Sequence, residues 1–441
     1  MTASPITTPF HLDGNYRPVT TELTESELPV EGTIPEVLNG RYLRNGPNPR
    51  PGVTSTHWFY GDGMIHGVEL SAGRARWYRN RWVRTNTFTD GATLLRSDFS
   101  VDRAAGLANT NVIAHAGRTL ALVETSFPYE LTNQLDTVGP YDFDGRLTTA
   151  MTAHPKICPT TGELHFFGYA LTPPYLTYHC ADATGRLIQS TEIDVPGPTM
   201  MHDFAITATH VVFFDLPVVF DIERALAGTM PFRWDDTYGA RIGLLPRNQP
   251  HAHVTWHAIE PCYVFHVLNA YDNDEGVVID ALRYPELWRT GPDNFGGATL
   301  HRWTLPRNGN LVRETPIDNN IAEFPRIDDR YTGLPHRYGY AIHHTDPGEG
   351  HILHYDLHAG TTETISVGPA RIPSEAVFVP ASPDADEHDG YLLTYVYDTT
   401  RGTSDLVILL ANEPTSPPVA TVHLPQRVPL GFHGNWIPAN P

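Results

Sequence analysis

Glycine and proline break this chain so often that few long elements fit between them: 36 glycines and 39 prolines are spread evenly through 441 residues, with no stretch that reads as a linker. Proline removes a backbone donor and fixes φ, while glycine loosens the backbone, so either one inside a helix costs about 1 to 3 kcal/mol relative to alanine. Such punctuation favours many short strands joined by turns. Segments 119–124, 163–169, 210–215, 262–269, 276–280, 351–358, 390–398 and 405–410 read as strands, and 159–162, 272–276 and 398–404 read as the turns between them. The expectation is one all-β body of radially repeated hairpins, a propeller, although on pattern alone a barrel or double sandwich meets the same constraints. Residues 1–35, polar and proline-punctuated, read as an N-terminal arm, and 36–441 as a single body.

Two early segments carry further signals. Residues 39–49 read as a strand ending in a glycine-proline turn, and 57–67 as a tight hairpin. The glycines at 61, 63 and 67 do not form a dinucleotide fingerprint, because the third is misplaced and no helical pattern follows.

Charge narrows the partners. Fifty acidic against thirty basic residues give a formal charge of -20, a field that repels nucleic acid and anionic lipid, so a neutral or locally recognised substrate fits better. Cys158, Cys180 and Cys262 lie far apart at no metal-knuckle or redox spacing, which points to a reducing compartment. No leader pattern opens the chain and no run of roughly 20 apolar residues occurs, so the expected location is the cytoplasm, with at most peripheral membrane contact.

Most of the 23 histidines must be bystanders. His351, His354 and His358 sit among Ile352, Leu353, Tyr355 and Leu357, which suits a strand with His354 and His358 on one face, and they read as a solvated blade edge. His343 with His344, and His251 with His253, read the same way. Four others stand in more telling company: His154 before Pro155 and Lys156, His202 between Met201 and Asp203, His266 inside the apolar run Val264–Leu268, and His433 between Phe432 and Gly434, with Gly431 just before. An imidazole in an apolar strand needs a partner to offset its desolvation, and the glycines flanking His433 let backbone approach closely.

These four contexts, together with segments 39–49, 58–64 and 374–380 and the run Glu323, Phe324, Pro325, resemble the carotenoid cleavage oxygenase family. That family includes apocarotenoid oxygenases, stilbene-cleaving dioxygenases and the retinoid isomerohydrolase of vision. The resemblance spans about Asn39 to Trp436 and implies a seven-bladed β-propeller with loops and short helices capping the tunnel face. It makes His154, His202, His266 and His433 the ligands of one Fe(2+), with Glu124, Glu323 and Glu375 orienting them through their ring N–H groups. Four neutral imidazoles leave iron(II) its full charge, which the glutamates would compensate. Thr110 matches a threonine near the open coordination positions, where O2 is the expected co-substrate, and Phe59 matches an aromatic of the substrate cavity.

The expected reaction splits a C=C bond of a carotenoid or apocarotenoid into two carbonyl groups, which consumes both oxygen atoms and needs no external reductant. The alternatives are cleavage of the side-chain double bond of stilbenes or phenylpropenoids of the isoeugenol type, and a propeller that isomerises or binds apolar ligands without oxygen chemistry. Stilbene-cleaving members typically carry a lysine where this chain has Val123, and an aliphatic side chain cannot hold a phenolate. Segment 90–106, which in membrane-attached members holds an apolar insertion, is short and mostly polar here, so deep membrane embedding is not expected.

Overall fold

The structure is a computed structural model and describes residues 9–53, 55–97, 100–247, 249, 252–291, 294–307, 311–346 and 349–439. His251, residues 1–8 of the N-terminal segment and residues 98–99 of the polar stretch lie outside the described residues.

Antiparallel sheets of four or more strands recur along the chain and form a seven-bladed β-propeller. Blade 2 comprises Asn111–His115, Arg118–Leu122, Tyr129–Leu131 and Thr137–Pro140; blade 3 comprises Lys156–Ile157, Leu164–Tyr169, Leu176–Ala181 and Leu187–Ile193. Blade 4 comprises Ala205–Ile206, His210–Asp215, Arg241–Pro246 and Thr255–Ala258. Blade 5 is Tyr263–Asp272, Gly276–Tyr284, Thr299–Pro306 and Arg313–Pro316, and blade 6 is Glu323–Arg326, Tyr338–Asp346, Glu349–Asp356 and Thr361–Ser366. In blade 7, Arg371–Pro373 and Val377–Pro380 both pair with Gly390–Asp398, followed outward by Thr403–Leu410, Ala420–His423 and Val30–Gly32.

The ring is closed by the two ends of the chain. Blade 1 takes its middle strands from Gly40–Pro47, Gly63–Ser71 and Arg74–Trp82, its outer edge from Thr24–Ser26 and its inner edge from Gly434–Pro438. The pairing of Gly434–Pro438 with Gly40–Pro47, in the register Arg44↔Gly434 to Gly40↔Pro438, ties the last strand to the first blade. Apolar side chains fill the wedges between blades. Leu43, Ile65 and Ile437 of blade 1 pack with Val112 and Ala121 of blade 2, and Tyr42 and Val68 pack with Val377 and Leu393 of blade 7.

The sequence-derived hairpin over 57–67 is corrected. Gly63–Ser71 does pair with Gly40–Pro47, but Phe59 lies in the loop between them, which includes residues 48–53 and 55–62. Its backbone turns back on itself where the Tyr60 N–H donates to the His57 carbonyl at 2.9 Å. A second correction concerns the histidine triplet: His354 is buried in its strand, whereas His358 is exposed in the turn beyond it. Among the described residues the two α-helices are short, Asn86–Asp90 capped by Thr85 and Ile222–Leu226 capped by Asp221. Among the described residues no helix is long and apolar enough to cross a membrane.

The glycines around His433 are required by closeness rather than by φ. A Cβ at Gly434 would stand 2.6 Å from the Leu43 carbonyl oxygen, and one at Gly431 would stand 2.8 Å from the Gly46 Cα. Gly434→Ala is therefore expected to strain the closing pair and lower stability by about 1 to 3 kcal/mol, as overpacking does. A lower denaturation midpoint for this variant than for the parent checks it; an unchanged midpoint would show that the two strands can part without cost.

Candidate metal centre

The propeller brings one end of its inner strands together, and the histidines and glutamates lie there. His154 and His202 shortly precede the inner strands Lys156–Ile157 and Ala205–Ile206, and His266 lies within Tyr263–Asp272. Glu323 opens Glu323–Arg326, Glu375 shortly precedes Val377–Pro380, His433 immediately precedes Gly434–Pro438, and Glu124 follows Arg118–Leu122. Blades 1 and 3 to 5 thus supply an imidazole, and blades 2, 6 and 7 a carboxylate.

The four rings converge. His154 lies with its ring centroid 4.5 Å from those of His202 and His433 and 5.0 Å from that of His266, and His266 is 4.7 Å from His433. Ring nitrogens of His154, His202 and His266 stand within 4.8 Å of one another, and the Nε2 atoms of His154 and His202 face each other at 3.0 Å. All four residues are buried.

Each glutamate takes one imidazole. His202 Nδ1 donates to Glu124 Oε2 at 2.8 Å, His266 Nδ1 to Glu323 Oε2 at 2.5 Å, and His433 Nδ1 to Glu375 Oε1 at 2.9 Å. With Nδ1 protonated toward a carboxylate, the Nε2 lone pair of each ring is free to bind a metal. His154 differs: no carboxylate of the described residues stands within ion-pair distance of its ring. Burial pushes His154 well below the ordinary imidazole range, and the three neighbouring rings push it further. Burial likewise takes His433 down to about 4 against the pull of Glu375. His266 moves the other way: burial would lower it, but Glu323, with Asp203 and Glu375 beyond, raises it. Burial would raise Glu375, but His433, Arg326 and the Gly434 N–H hold it down to about 2, so it stays ionised.

A metal fits this donor set. His266 Nε2 is buried with no hydrogen-bond partner, and beside it the Nε2 atoms of His154 and His202 stand 3.0 Å apart, where a bound dication would take the place of the proton they share. Three carboxylates around four neutral rings supply the compensating charge.

Several groups that hold this centre carry no sequence signal of their own. The second oxygen of Glu124 accepts from the Tyr169 hydroxyl at 2.9 Å, that of Glu323 from the Tyr284 hydroxyl at 2.5 Å, and that of Glu375 from the Gly434 N–H at 2.7 Å. Arg326 approaches Glu375 at 3.6 Å while donating to the Gly434 carbonyl and to Asn435. The sole lysine, Lys156, pairs with Asp203 at 2.7 Å, and Asp203 also accepts from the Val267 N–H, which links the segments bearing His154, His202 and His266. Phe324 adopts φ 55, a strained conformation for a bulky residue, with its ring 5.6 Å from His266 and 5.4 Å from His433.

Beside the histidines lies an aromatic cluster. Phe265 meets His202 edge-on at 5.1 Å, and Phe59 packs on Phe432 at 5.5 Å, Phe295 at 5.9 Å and Trp288 at 6.1 Å. Thr110 joins this cluster to the metal centre: its carbonyl accepts from the His433 N–H at 3.0 Å and its hydroxyl donates to Asn109 Oδ1 at 3.0 Å. Asn109 in turn donates to the carbonyls of Phe59 and Gly61, which holds the loop that presents Phe59.

A propeller in which four buried histidines converge, three of them backed by carboxylates, presents a donor set that a transition-metal ion fits. The chain belongs to the retinal pigment epithelial membrane protein family, which it matches over residues 16–438. The carotenoid cleavage oxygenase of Mycobacterium tuberculosis is 40% identical, the match covering 97% of this chain and 97% of that protein. The solved lignostilbene dioxygenase of Pseudomonas brassicacearum superposes with a TM-score of 0.87 at 30% identity, over 98% of this chain and 100% of that one. Cobalt-substituted apocarotenoid oxygenase of Synechocystis superposes at 0.86 and 27% identity, over 96% and 98%.

Proposed function

We propose that this chain is a non-heme iron(II) dioxygenase that cleaves a C=C bond of an apocarotenoid or carotenoid with O2, giving two carbonyl products. The observation that carries the reading is the set of paired rings: His202, His266 and His433 each turn Nδ1–H to a glutamate, which aims Nε2 lone pairs at a common centre with His154. Iron would be held by His154, His202, His266 and His433, and when bound it would supply the activation of dioxygen that a spin-paired alkene requires. The chain's own residues do the rest. Glu124, Glu323 and Glu375 orient the rings and hold the ring proton on Nδ1, and Thr110 positions the Phe59 loop through Asn109. Phe59, Phe265, Trp288 and Phe432 supply apolar surface against which an extended polyene binds by dispersion and water exclusion.

The substrate class is read from Val123, which is buried and apolar at the position where stilbene-cleaving members of the family carry a lysine. Tyr129, the nearest tyrosine in sequence after Glu124, has its hydroxyl committed to the Ala104 carbonyl at 2.5 Å and the Asn86 N–H at 2.9 Å. A phenol buried without a partner costs about 1 to 3 kcal/mol, so kcat/KM on apocarotenoids is expected to exceed that on hydroxystilbenes by about 10- to 100-fold. The structural likeness to lignostilbene dioxygenase supports the phenolic alkene as the second reading. Anaerobic reconstitution with iron(II), followed by oxygen and matched panels of both alkenes, tests the choice. Label from 18O2 in both carbonyl products supports dioxygenation; a preference for the hydroxystilbenes would overturn the substrate class alone.

A further inference from the structure

Three of the four central rings have a carboxylate behind them, whereas among the described residues none stands within ion-pair distance of His154. The peptide group between Ala153 and His154 is held instead, at both of its polar atoms. Thr152 takes one end: its hydroxyl accepts from the His154 N–H at 3.1 Å and donates to the His202 carbonyl at 3.3 Å. Asn111, the first residue of blade 2, takes the other, donating from Nδ2 to the Ala153 carbonyl at 2.8 Å.

Both clamps are themselves anchored. The Thr152 N–H donates to the Phe167 carbonyl at 2.6 Å, on the strand Leu164–Tyr169 of the same blade. Asn111 Oδ1 accepts from the Val112 N–H at 2.8 Å and from Asn435 Nδ2 at 3.1 Å, which fixes the sense of its amide. Asn435 stands two residues beyond His433 on the closing strand, where Arg326 donates to its Oδ1 at 2.9 Å. Thr152 and Asn111 are both buried, so these bonds are made where an unpaired polar group is costly. Pro155 adds a further constraint, because the residue before a proline is confined to extended backbone.

The two clamps lead to particular neighbours. Through Thr152 the peptide is tied to the backbone of His202, and through Asn111 to the strand that begins just after His433. Those are the two rings nearest to His154, each with its centroid 4.5 Å away, whereas that of His266 lies at 5.0 Å. A carboxylate aims an imidazole by its Nδ1–H; a clamped peptide fixes the Cα and the direction in which Cβ leaves it.

We propose that Thr152 and Asn111 are the positioning residues of His154, holding its ring against those of His202 and His433 through the backbone. The proposal rests on the reading of the four histidines as one metal site. It assigns part of the ion's geometry to a hydroxyl and an amide that act on the backbone of the ligands.

The test loads the metal-free full-length chain with Co2+, whose visible absorption reports ligand geometry, and follows both the spectrum and the rate of Co2+ loss to a chelator. Thr152→Val removes the hydroxyl at nearly constant shape, and Asn111→Asp sets an acceptor against the Ala153 carbonyl. Both are expected to shift the absorption band and to speed Co2+ loss about 10-fold, the lower end of the scale for supporting groups. Thr152→Ser, which keeps the hydroxyl, is expected to match the parent in both readouts. A merely structural role would lower the denaturation midpoint of the metal-free chain and leave the spectrum of the loaded chain unchanged. Should Asn111→Asp fail to fold, the Thr152 pair decides alone. Spectra and loss rates equal to the parent's in Thr152→Val, or Thr152→Ser departing as far as Thr152→Val, overturn the proposal and leave the four-histidine site standing. A parent that binds no Co2+, or binds it equally after His154→Ala, overturns that site and the proposal with it.

Discussion

His266→Ala is expected to yield a folded chain that binds no iron after reconstitution, with cleavage activity falling by more than the 10- to 100-fold that loss of a supporting acceptor costs. The ring removed carries the buried, unpartnered Nε2 of the centre and the Nδ1–H that satisfies Glu323. Its loss therefore removes a donor atom and leaves a carboxylate held only by Tyr284 and the Phe324 N–H. His154→Ala should abolish iron binding equally but disturb the apoprotein less, because no carboxylate depends on that ring. Elemental analysis beside a denaturation curve separates the two effects. Iron retained at parental stoichiometry in either variant would remove these histidines from the metal site.

Much of this arrangement was legible before any coordinates, and what was not has physical reasons. Several strands with dense apolar and β-branched content were read nearly to the residue: His210–Asp215 and Gly390–Asp398 match, and Leu164–Tyr169 differs by one, whereas Gly276–Tyr284 was read only to 280 and Tyr263–Asp272 only to 269. Outer strands were missed where they alternate with solvent. Leu187–Ile193 buries only its ends and Thr361–Ser366 only Ile365, so neither shows an apolar run. The four histidines were legible because each sits in a distinctive context; the hydroxyls of Tyr169 and Tyr284 were not, because a tyrosine in a strand looks like any core aromatic until the fold brings a carboxylate to its tip. His354 was misjudged for the same reason. A strand pattern assigns it a face, and only the neighbouring blade, which brings His388 over it, decides that the face is buried.

The three glutamates look equivalent in sequence, yet their glutamine variants are expected to differ. An amide keeps one acceptor and turns the other into a donor. In Glu124→Gln and Glu323→Gln the carbonyl can stay on the histidine, and the new NH2 then meets a tyrosine hydroxyl, Tyr169 or Tyr284, which can rotate to accept. In Glu375→Gln no such relief exists. One oxygen faces the His433 Nδ1–H and the other the Gly434 backbone N–H, a donor fixed by the closing strand, so the NH2 must oppose one of them. If it opposes His433, the ring is driven to its other tautomer and Nε2 loses its lone pair. Arg326 also loses the charge that faces it at 3.6 Å, although Asp329, at 3.2 Å, remains. Iron affinity is expected to fall about 10-fold for Glu124→Gln and Glu323→Gln and 100-fold or more for Glu375→Gln. Only the last should also lose about 1.5 to 3 kcal/mol of stability, the scale of a hydrogen bond to a charged group. Metal titrations and denaturation midpoints on the three variants decide the ranking: equal losses at all three positions would mean that net charge around the iron, and not the direction of each donor, is what these carboxylates provide.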